Sequence, residues 1–336
     1  MRRIIKPKYT PYIISHASIG GYEESRGPLS DLFDFTSEDD FFSMKCAEDA
    51  EAEMARLSLN VALKKASLAP DSVDVLLSGD LENQCVASSG GLFSFGIPYV
   101  GLYSACSTAT EALLLSTLFL SMDNINYAAT VTSSHNSAAE TQFRTPLEYG
   151  AQRQPTAQWT ATAAGAFIIS KNRHASNAFI DRVMVGKIVD GGSCDGANMG
   201  ASMARAAFDS IYTYFQLSHE APSDYDLIMT GDLGFVGSEI LKELLDKELP
   251  SASKIHLDAG TLLYDKNKKN LHSGASGCGC SAAVLSSLIL PKIERGEYKN
   301  VLFLSTGALM NPTSVMRGNN ILGIAPVINL RRCNDS

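Results

Sequence analysis

One cysteine occupies a position where a thiol would be chemically active. Cys106 follows an apolar run at residues 97–103, precedes an apolar helical stretch around residues 112–118, and has small neighbours. A thiol at the start of a helix lies among unpaired N–H groups at the positive end of the helix dipole, which lowers its pKa and favours the thiolate. Cys106 is therefore a candidate nucleophile. The alternative is a small buried core residue, since free cysteine is among the most buried residue types.

Two further side chains follow predicted strands. Asp80 comes after the apolar run at residues 73–79, and His135 follows the run at residues 127–133. Sheets of parallel strands bind ligands at the carboxyl ends of those strands. We therefore expect Asp80, Cys106 and His135 to converge at one mouth of the fold.

The second half of the chain repeats the first. Residues 74–81 recur at 226–233, an offset of 152 (226 − 74), and Cys106 with its following helix recurs at Cys280, an offset of 174 (280 − 106). Each half alternates strands with helices, which predicts an α/β fold with mostly parallel sheets covered by helices on both faces. We place the two halves at residues 1–175 and 176–336, with a polar insertion at 134–158 in the first.

Composition excludes several classes of protein. The 336 residues are 45% hydrophobic, and 28 basic against 36 acidic residues give a net charge of −8 without a basic block. Nucleic acid is therefore not expected as a partner, and neither is non-specific attraction to anionic lipid. The longest apolar runs, at 112–120 and 282–290, are shorter than the roughly 20 residues of a membrane-spanning helix. The first residues lack the pattern of a secretory signal, which predicts synthesis in the cytosol.

The cysteines and the first 66 residues give weaker signals. Seven scattered cysteines show no disulfide framework and no paired zinc spacing, and Cys278-Gly-Cys280 alone is a weak metal signal. Residues 1–45 are rich in Tyr, Pro, Gly and acidic side chains, so we expect loops with one short strand. Apolar residues recur at helical spacing over residues 47–66, which predicts an amphipathic helix.

Several stretches together resemble the thiolase and ketoacyl synthase family, with Cys106 in the place of the acyl-accepting cysteine. Within that family the chain is similar to a branch of sporulation proteins from endospore-forming bacteria. The resemblance is carried by Gly79-Asp-Leu-Glu-Asn-Gln84, Ala105-Cys-Ser-Thr108, Ser133-Ser-His-Asn136, Ala139-Glu-Thr-Gln-Phe-Arg144, Glu148-Tyr-Gly150, residues 227–233 and Ser276-Gly-Cys-Gly-Cys-Ser281.

The resemblance implies a duplicated thiolase-like α/β fold and a binding function. The ligand it implies is dipicolinic acid (pyridine-2,6-dicarboxylate), as the free acid or as its calcium chelate, with no cofactor and no resident metal. It also implies membrane-embedded sporulation channel proteins as partners and synthesis in the forespore cytoplasm. The expected location is peripheral, at the spore inner membrane, and a homodimer is expected because thiolase-fold proteins commonly dimerise.

The sequence departs from the condensing enzymes at their catalytic positions. Those enzymes pair the cysteine with a histidine and with a second histidine or an asparagine. Here the corresponding positions fall near Asp232 and near Cys278, so Asp232 is the remaining candidate for acid–base chemistry. We therefore favour a non-catalytic binding protein over an acyltransferase that uses Cys106 as nucleophile. A purely structural interaction protein is a third, weaker reading.

A dianionic ligand requires fixed hydrogen-bond donors or a bridging cation. We expect Arg144 to clamp a carboxylate, because a guanidinium donates two parallel hydrogen bonds. The alternative is that Arg144 pairs with Glu140, one helical turn earlier. Glu140 and Glu148 are also candidates to hold calcium together with Asp80 and Asp232. The remaining expected pocket residues are Asn83, His135, Asn136, Tyr149, Cys278 and Cys280.

Overall fold

The computed structural model describes residues 2–144, 153–268, 271 and 273–333. The strands in this part of the chain are β1 (Ile4–Ile5), β2 (Tyr12–Gly20), β3 (Phe35–Thr36), β4 (Val75–Gly79), β5 (Tyr99–Gly101), β6 (Tyr127–Ser134), β7 (Trp159–Thr160), β8 (Ala163–Ser170), β9 (Ala178–Met184), β10 (Val189–Asp190), β11 (Leu227–Thr230), β12 (His256–Asp258), β13 (Ala275–Ser276), β14 (Asn300–Leu304), β15 (Gly307–Leu309), β16 (Leu322–Ile324) and β17 (Val327–Arg332).

The α-helices are α1 (Ala47–Ala66), α2 (Val86–Leu92), α3 (Thr108–Phe119), α4 (Asn136–Phe143), α5 (Met199–Ser218), α6 (Gly234–Glu248), α7 (Pro250–Lys254), α8 (Ala259–Leu263), α9 (Cys278–Val284), α10 (Leu290–Glu294) and α11 (Pro312–Met316). A wider π-type turn at Leu285–Ile289 joins α9 to α10. Among the described residues, none of the helices combines the length and the apolar character that crossing a bilayer requires.

Ten strands form the main path of the sheet, in the order β12-β11-β14-β17-β9-β2-β8-β6-β4-β5. Pairing is parallel towards both ends of this path, in β12-β11-β14 and in β6-β4-β5, and antiparallel in the centre. Strands β4 and β6 of the first half occupy the positions that β11 and β14 occupy in the second. The order therefore has the symmetry that the repeated sequence predicts.

Helices cover both faces of this sheet, and neighbouring strand residues show it. Leu77 and Met229 belong to a core that also contains residues of α3 and α9. Their neighbour Leu76 belongs to a second core with residues of α1. Their neighbour Ile228 belongs to a third core with residues of α5 and α6. Because side chains alternate between the faces of a strand, α3 and α9 share a central core with strands of both halves.

The N-terminal region differs from its prediction. Strand β2 is nine residues long and lies at the centre of the sheet, where residues 1–45 were expected to form loops with one short strand. Ile13, Ala17 and Ile19 of this strand are buried, and the polar residues Ser15, His16 and Ser18 stand between them. One of these, the Ser15 hydroxyl, donates a hydrogen bond to the Ala62 carbonyl at 2.6 Å. Polar residues satisfied inside the protein weaken the apolar pattern by which a central strand is recognised.

Candidate functional site

Cys106 lies in a sharp turn between β5 and α3. The preceding residue, Ala105, has a φ of +51°, in the left-handed region that few residues other than glycine adopt. Contacts with the other half of the protein hold the start of α3. Thr110 N–H donates to the Ser305 hydroxyl at 3.0 Å, and Ser305 N–H donates to the Thr110 hydroxyl at 2.8 Å. The predicted strand–turn–helix around the thiol is therefore present, and residues from both halves fix it.

The thiol lies next to a buried carboxyl group. Asp232 follows β11 and accepts hydrogen bonds from Thr306 N–H (3.2 Å), the Thr306 hydroxyl (2.8 Å) and Gly277 N–H (3.2 Å). Burial is the main cause that raises the pKa of Asp232 to about 6. The Cys106 sulfur is also 3.8 Å from the Ser276 hydroxyl oxygen. Within the described part of the chain, the polar side chains beside the thiol are therefore a carboxyl group and a hydroxyl.

These surroundings keep the thiol protonated. Burial raises the pKa of Cys106 well above its usual value of 9.0, and the negative charge of Asp232 and a hydrogen bond to it raise that pKa further. Among the described residues no histidine lines the pocket at Cys106. His256, at the start of β12, is buried, hydrogen-bonds to Thr230 at 2.8 Å, and has a pKa lowered to about 3 by that burial. The described surroundings of Cys106 therefore disfavour the thiolate.

Cys106 opens onto a pocket of about 840 Å³. Its described walls are mainly apolar groups, amides and hydroxyls, and they contain one cationic side chain and no carboxylate. The lining residues are Leu81, Asn83, Tyr103, Ala105, Cys106, Gln142, Phe143, Thr160, Met199, Ser276, Ala308, Leu309, Met310, Asn311, Pro312, Thr313, Ser314, Arg317 and Asn319. This volume lies in the range of small-molecule sites.

The cationic residue is Arg317, which the sequence analysis did not select. It follows α11 in the connection between β15 and β16, and its exposed side chain forms no ion pair with the described residues. Asn311 caps that helix by accepting a hydrogen bond from Ser314 N–H at 2.9 Å. The Asn-Pro-Thr-Ser cap is a helix-start signal, but it does not indicate that the helix faces Cys106.

Of the predicted site residues, two lie on the pocket wall and a third lies directly behind it. Cys106 and Asn83 line the pocket, and the Asn83 amide oxygen accepts a hydrogen bond from the Tyr103 hydroxyl at 3.2 Å. Asp232 is fully buried beside Cys106. Cys106 and Asn83 therefore share one pocket wall, with Asp232 beside the thiol. The expected convergence of Asp80, Cys106 and His135 at one mouth is not observed, because only Cys106 of the three lines this pocket.

His135 is instead a structural residue at the start of α4. Its Nδ1 accepts a hydrogen bond from Ser137 N–H at 3.2 Å, so the proton is on Nε2, which donates to the Asp40 carbonyl at 3.0 Å. Burial lowers the pKa of His135, which favours the neutral ring. His135 does not line the pocket, because helix capping and the contact with Asp40 use both ring nitrogens.

Arg144 makes the local contact that was the alternative to a ligand clamp. Its guanidinium binds Glu140 at 2.7 and 3.2 Å, and Arg153 binds the same carboxylate at 2.6 Å. Arg153 also stacks over Trp159, with 4.3 Å between the guanidinium carbon and the ring centre. Arg144 and Glu140 are therefore partners of each other and do not line the pocket at Cys106. Asn136 donates to Glu140 at 3.3 Å.

The other predicted residues lie in the interior or outside the described part of the chain. Asp80 accepts hydrogen bonds from Glu82 N–H and from Ser88, and burial raises its pKa. The Cys278 and Cys280 thiols donate to the carbonyls of Ser133 (2.9 Å) and Gly231 (3.6 Å). Asp80, Cys278 and Cys280 do not line the pocket.

The expected calcium site is not formed by the residues that the structure describes. The described residues contain no group of three or more His, Cys, Asp or Glu side chains arranged to hold a metal ion. The expected calcium set of Glu140 and Glu148 with Asp80 and Asp232 is therefore not assembled from the described members. Tyr149 and Glu148 lie outside the described residues.

Known proteins resemble this chain at two levels. A model of the family described as stage V sporulation protein AD matches residues 2–331. Over 314 residues the chain is 38% identical to the stage V sporulation protein AD of Bacillus subtilis (strain 168), which covers 94% of this chain and 92% of that protein.

Solved structures share the fold at much lower identity. The chain is similar to AbyA1, a tetronic acid condensing enzyme (TM-score 0.61, 14% identity, covering 96% of this chain and 100% of that one). It is also similar to 3-oxoacyl-(acyl carrier protein) synthase III from Xanthomonas oryzae (TM-score 0.60, 13% identity, covering 96% and 100%). The predicted thiolase-like α/β fold is confirmed, and at these identities the likeness extends to the fold alone.

Proposed function

Because the chain belongs to the stage V sporulation protein AD family and so has a role in sporulation, we propose that it binds dipicolinic acid in the pocket at Cys106. Binding occurs without chemical turnover and assists uptake of the ligand into the developing spore. The observation that carries the proposal is the polarity of the pocket, whose described walls hold one guanidinium, many neutral donors and no carboxylate.

This polarity suits a small planar dianion. Pyridine-2,6-dicarboxylate has two carboxylates flanking a ring nitrogen, and each carboxylate needs donors when it leaves water. Arg317 offers two parallel hydrogen bonds to one carboxylate, which a lysine would not provide. Amide and hydroxyl groups such as those of Asn83 and Ser276 are candidates for the other, while Tyr103 and Phe143 offer apolar surface for the ring.

The environment of Cys106 supports binding over catalysis. Cys106 lies beside Asp232 and, among the described residues, no histidine lines its pocket, so the histidine that activates the nucleophile in condensing enzymes is not matched. Cys106 then contributes shape and a weak hydrogen bond to the floor of the pocket.

Calorimetric titration of the full chain with dipicolinate tests this proposal. We expect Arg317→Gln to weaken binding about ten- to a hundredfold, the effect of losing a charged hydrogen bond. We expect Arg144→Gln to bind within about threefold of the wild type, because Arg153 still pairs with Glu140 in that variant. Arg295→Gln serves as the control for loss of a surface charge, since its partner Glu297 is exposed.

Two results contradict the proposal. Absence of dipicolinate binding by the wild-type chain, with and without calcium, removes the function itself. Binding that is unchanged in Arg317→Gln and lost in Arg144→Gln restores the clamp that the sequence analysis expected and moves the ligand away from this pocket.

A catalytic alternative arises from the shared fold. AbyA1 is a condensing enzyme, and this chain has a cysteine at the turn before α3. An acyltransferase that uses Cys106 would release coenzyme A from acetyl-CoA above the level of a Cys106→Ala control. The binding proposal expects equal, background release from both.

We further propose that the chain works beside membrane-embedded sporulation channel proteins, at the inner membrane of the spore, and that it forms a homodimer. The feature that supports a dimer is β5, which ends the main path of the sheet and pairs with β4 on one side. Tyr99 on this strand and the nearby Phe93 and Val86 are exposed apolar side chains. Sedimentation of wild-type protein and of a Gly101→Pro variant measures the role of this edge. Pro98 and Leu102 bond to β4, so the N–H of Gly101 faces the open side of the strand, and proline removes it.

A further inference from the structure

One short segment carries most of the net charge of the chain. Residues 31–49, here called the acidic segment, contain seven acidic residues and one lysine, a net charge of −6 (1 − 7). The whole chain has a net charge of −8, so the remaining 317 residues (336 − 19) have a net charge of only −2. The acidic character of this protein is therefore local.

The same segment exposes large apolar side chains. Leu32, Phe35, Phe41 and Met44 are 46%, 49%, 43% and 39% exposed. Clusters of exposed large hydrophobic side chains on a folded protein mark interaction surfaces more often than single ones do. Apolar groups surrounded by charges of one sign form a surface suited to a partner of opposite charge.

The acidic segment is held in a defined conformation. Strand β3, which contains Phe35, pairs with β2, and Phe42 inserts into a buried cluster that includes Ile19 and Met54. Asp40 accepts a hydrogen bond from Tyr22 N–H at 2.7 Å through its carboxylate, and its carbonyl accepts the proton of His135. A rigid surface binds without the entropy cost of ordering.

Some of the charges are free for a partner. Asp34 pairs with Lys65 at 2.5 Å, and Asp39 accepts hydrogen bonds from two N–H groups of its own turn. Asp31 and Glu38 are exposed and have no side-chain partner within the described part of the chain. These two carboxylates remain available for an incoming cation.

We propose that the acidic segment is a docking surface for a basic segment of a partner protein that carries apolar side chains between its Lys or Arg residues. The apolar side chains of that segment would pack against Phe35 and Phe41, and its cations would meet Asp31 and Glu38. Anionic lipid and nucleic acid do not fit this surface, because they have the same sign of charge. The inference is independent of the proposed ligand.

The test uses the full chain and a fluorescein-labelled 18-residue amphipathic peptide of Leu and Lys, with fluorescence anisotropy as the measurement. Peptides with Ser in place of Leu, or Glu in place of Lys, separate the apolar and the charged contributions. We expect the Leu/Lys peptide to bind at least about tenfold more tightly than either, and its affinity to fall with added salt.

Matched variants locate the binding surface. Leu32→Ser/Phe35→Ser and, separately, Asp31→Lys/Glu38→Lys should each weaken binding at least about tenfold. The second pair changes only exposed side chains without described partners, so it tests the surface even if the first perturbs folding. Met122→Ser and Glu243→Lys/Asp246→Lys make the same kinds of change on other exposed surface, and we expect them to bind as the wild type does.

Three results overturn the proposal. The first is no binding of the Leu/Lys peptide by the wild-type chain. The second is a loss of peptide affinity that is as large in the control variants as in the variants of the acidic segment. That result would indicate general attraction of the peptide to a negatively charged protein. The third is binding of the wild-type chain to phosphatidylglycerol vesicles that Leu32→Ser/Phe35→Ser abolishes, which makes the surface a lipid contact.

Discussion

Asp80 and Asp232 occupy matching positions in the two halves but have different roles. Each follows a glycine at the end of a buried parallel strand, β4 or β11, and each is fully buried. Asp80 bonds only within its own half, to Glu82 N–H and to Ser88, and so fixes the chain between β4 and α2. Asp232 bonds to Thr306 and Gly277 and adjoins Cys106 of the other half.

The difference shows how a duplicated fold acquires a single site. The repeat supplies the same carboxyl group at the same strand end twice. What differs is the partner: the opposing half brings the Cys106 thiol to Asp232, whereas Asp80 is bonded by Ser88 of α2 in its own half. Gly231 allows the close packing around Asp232, since a Cβ there would lie 2.2 Å from the Ser281 hydroxyl oxygen.

The largest predicted effect is the loss of stability on removal of the Asp80 carboxyl group, whose role is structural. Asp80→Ala leaves the N–H groups of Glu82 and Ser88 and the Ser88 hydroxyl buried without an acceptor, which we expect to lower the free energy of unfolding by about 3 kcal/mol. Urea denaturation measures it. Asp80→Asn keeps an acceptor, so a loss as large as that of Asp80→Ala would contradict this account.

The second effect is a dependence of stability on pH that belongs to Asp232. Its folded pKa of about 6 exceeds its ordinary value of 3.8, so the folded state binds the proton more tightly than the unfolded state. The stabilisation is complete below about pH 4 and is lost as pH rises through about 6, on the order of 3 kcal/mol.

Asp232→Asn should remove this part of the slope when urea unfolding is measured between pH 4 and pH 7. Other buried carboxyl groups titrate in the same range, including Glu24 and Asp258 with pKa values raised by burial to about 7. The measured quantity is therefore the difference between wild type and variant. Parallel curves for the two proteins would show that Asp232 titrates normally.

The smallest effect is on the reactivity of Cys106. Burial contributes most to its raised pKa, and the charge of Asp232 contributes next. Asp232→Asn removes the charge only, so alkylation of Cys106 by iodoacetamide at pH 8 should become about tenfold faster, as followed by peptide mass. Asp80→Asn should leave the rate unchanged. A faster rate in both variants would indicate loosened packing in place of electrostatics.

The sequence was sufficient to predict those parts of the fold that a local pattern of residues determines. The helix at residues 47–66 was predicted with its observed bounds, because helical spacing of apolar residues and a proline at position 70 define it. The repeated stretches predicted the symmetry of strand order. The turn at Cys106 was recognisable from a strand, small residues and a helix in succession.

The sequence was insufficient to predict pocket residues whose role depends on the direction in which the side chain points. His135 follows a strand as expected, but its ring turns back to cap α4 and to hold Asp40. Arg144 has Glu140 one helical turn away, and this local pair forms. Arg317 is far from Cys106 in sequence and reaches the pocket only through the path of the chain between β15 and β16.

The double ion pair at Glu140 has a consequence for how this family can vary. Arg144 and Arg153 are nine positions apart in the sequence (153 − 144) and bind the same carboxylate, so Glu140 holds two points of the chain together. The entropy of closing a loop rises only with the logarithm of its length, by about 0.6 kcal/mol for each doubling. Insertions between the two arginines are therefore cheap, and we expect relatives to differ in length there while keeping the three charged residues.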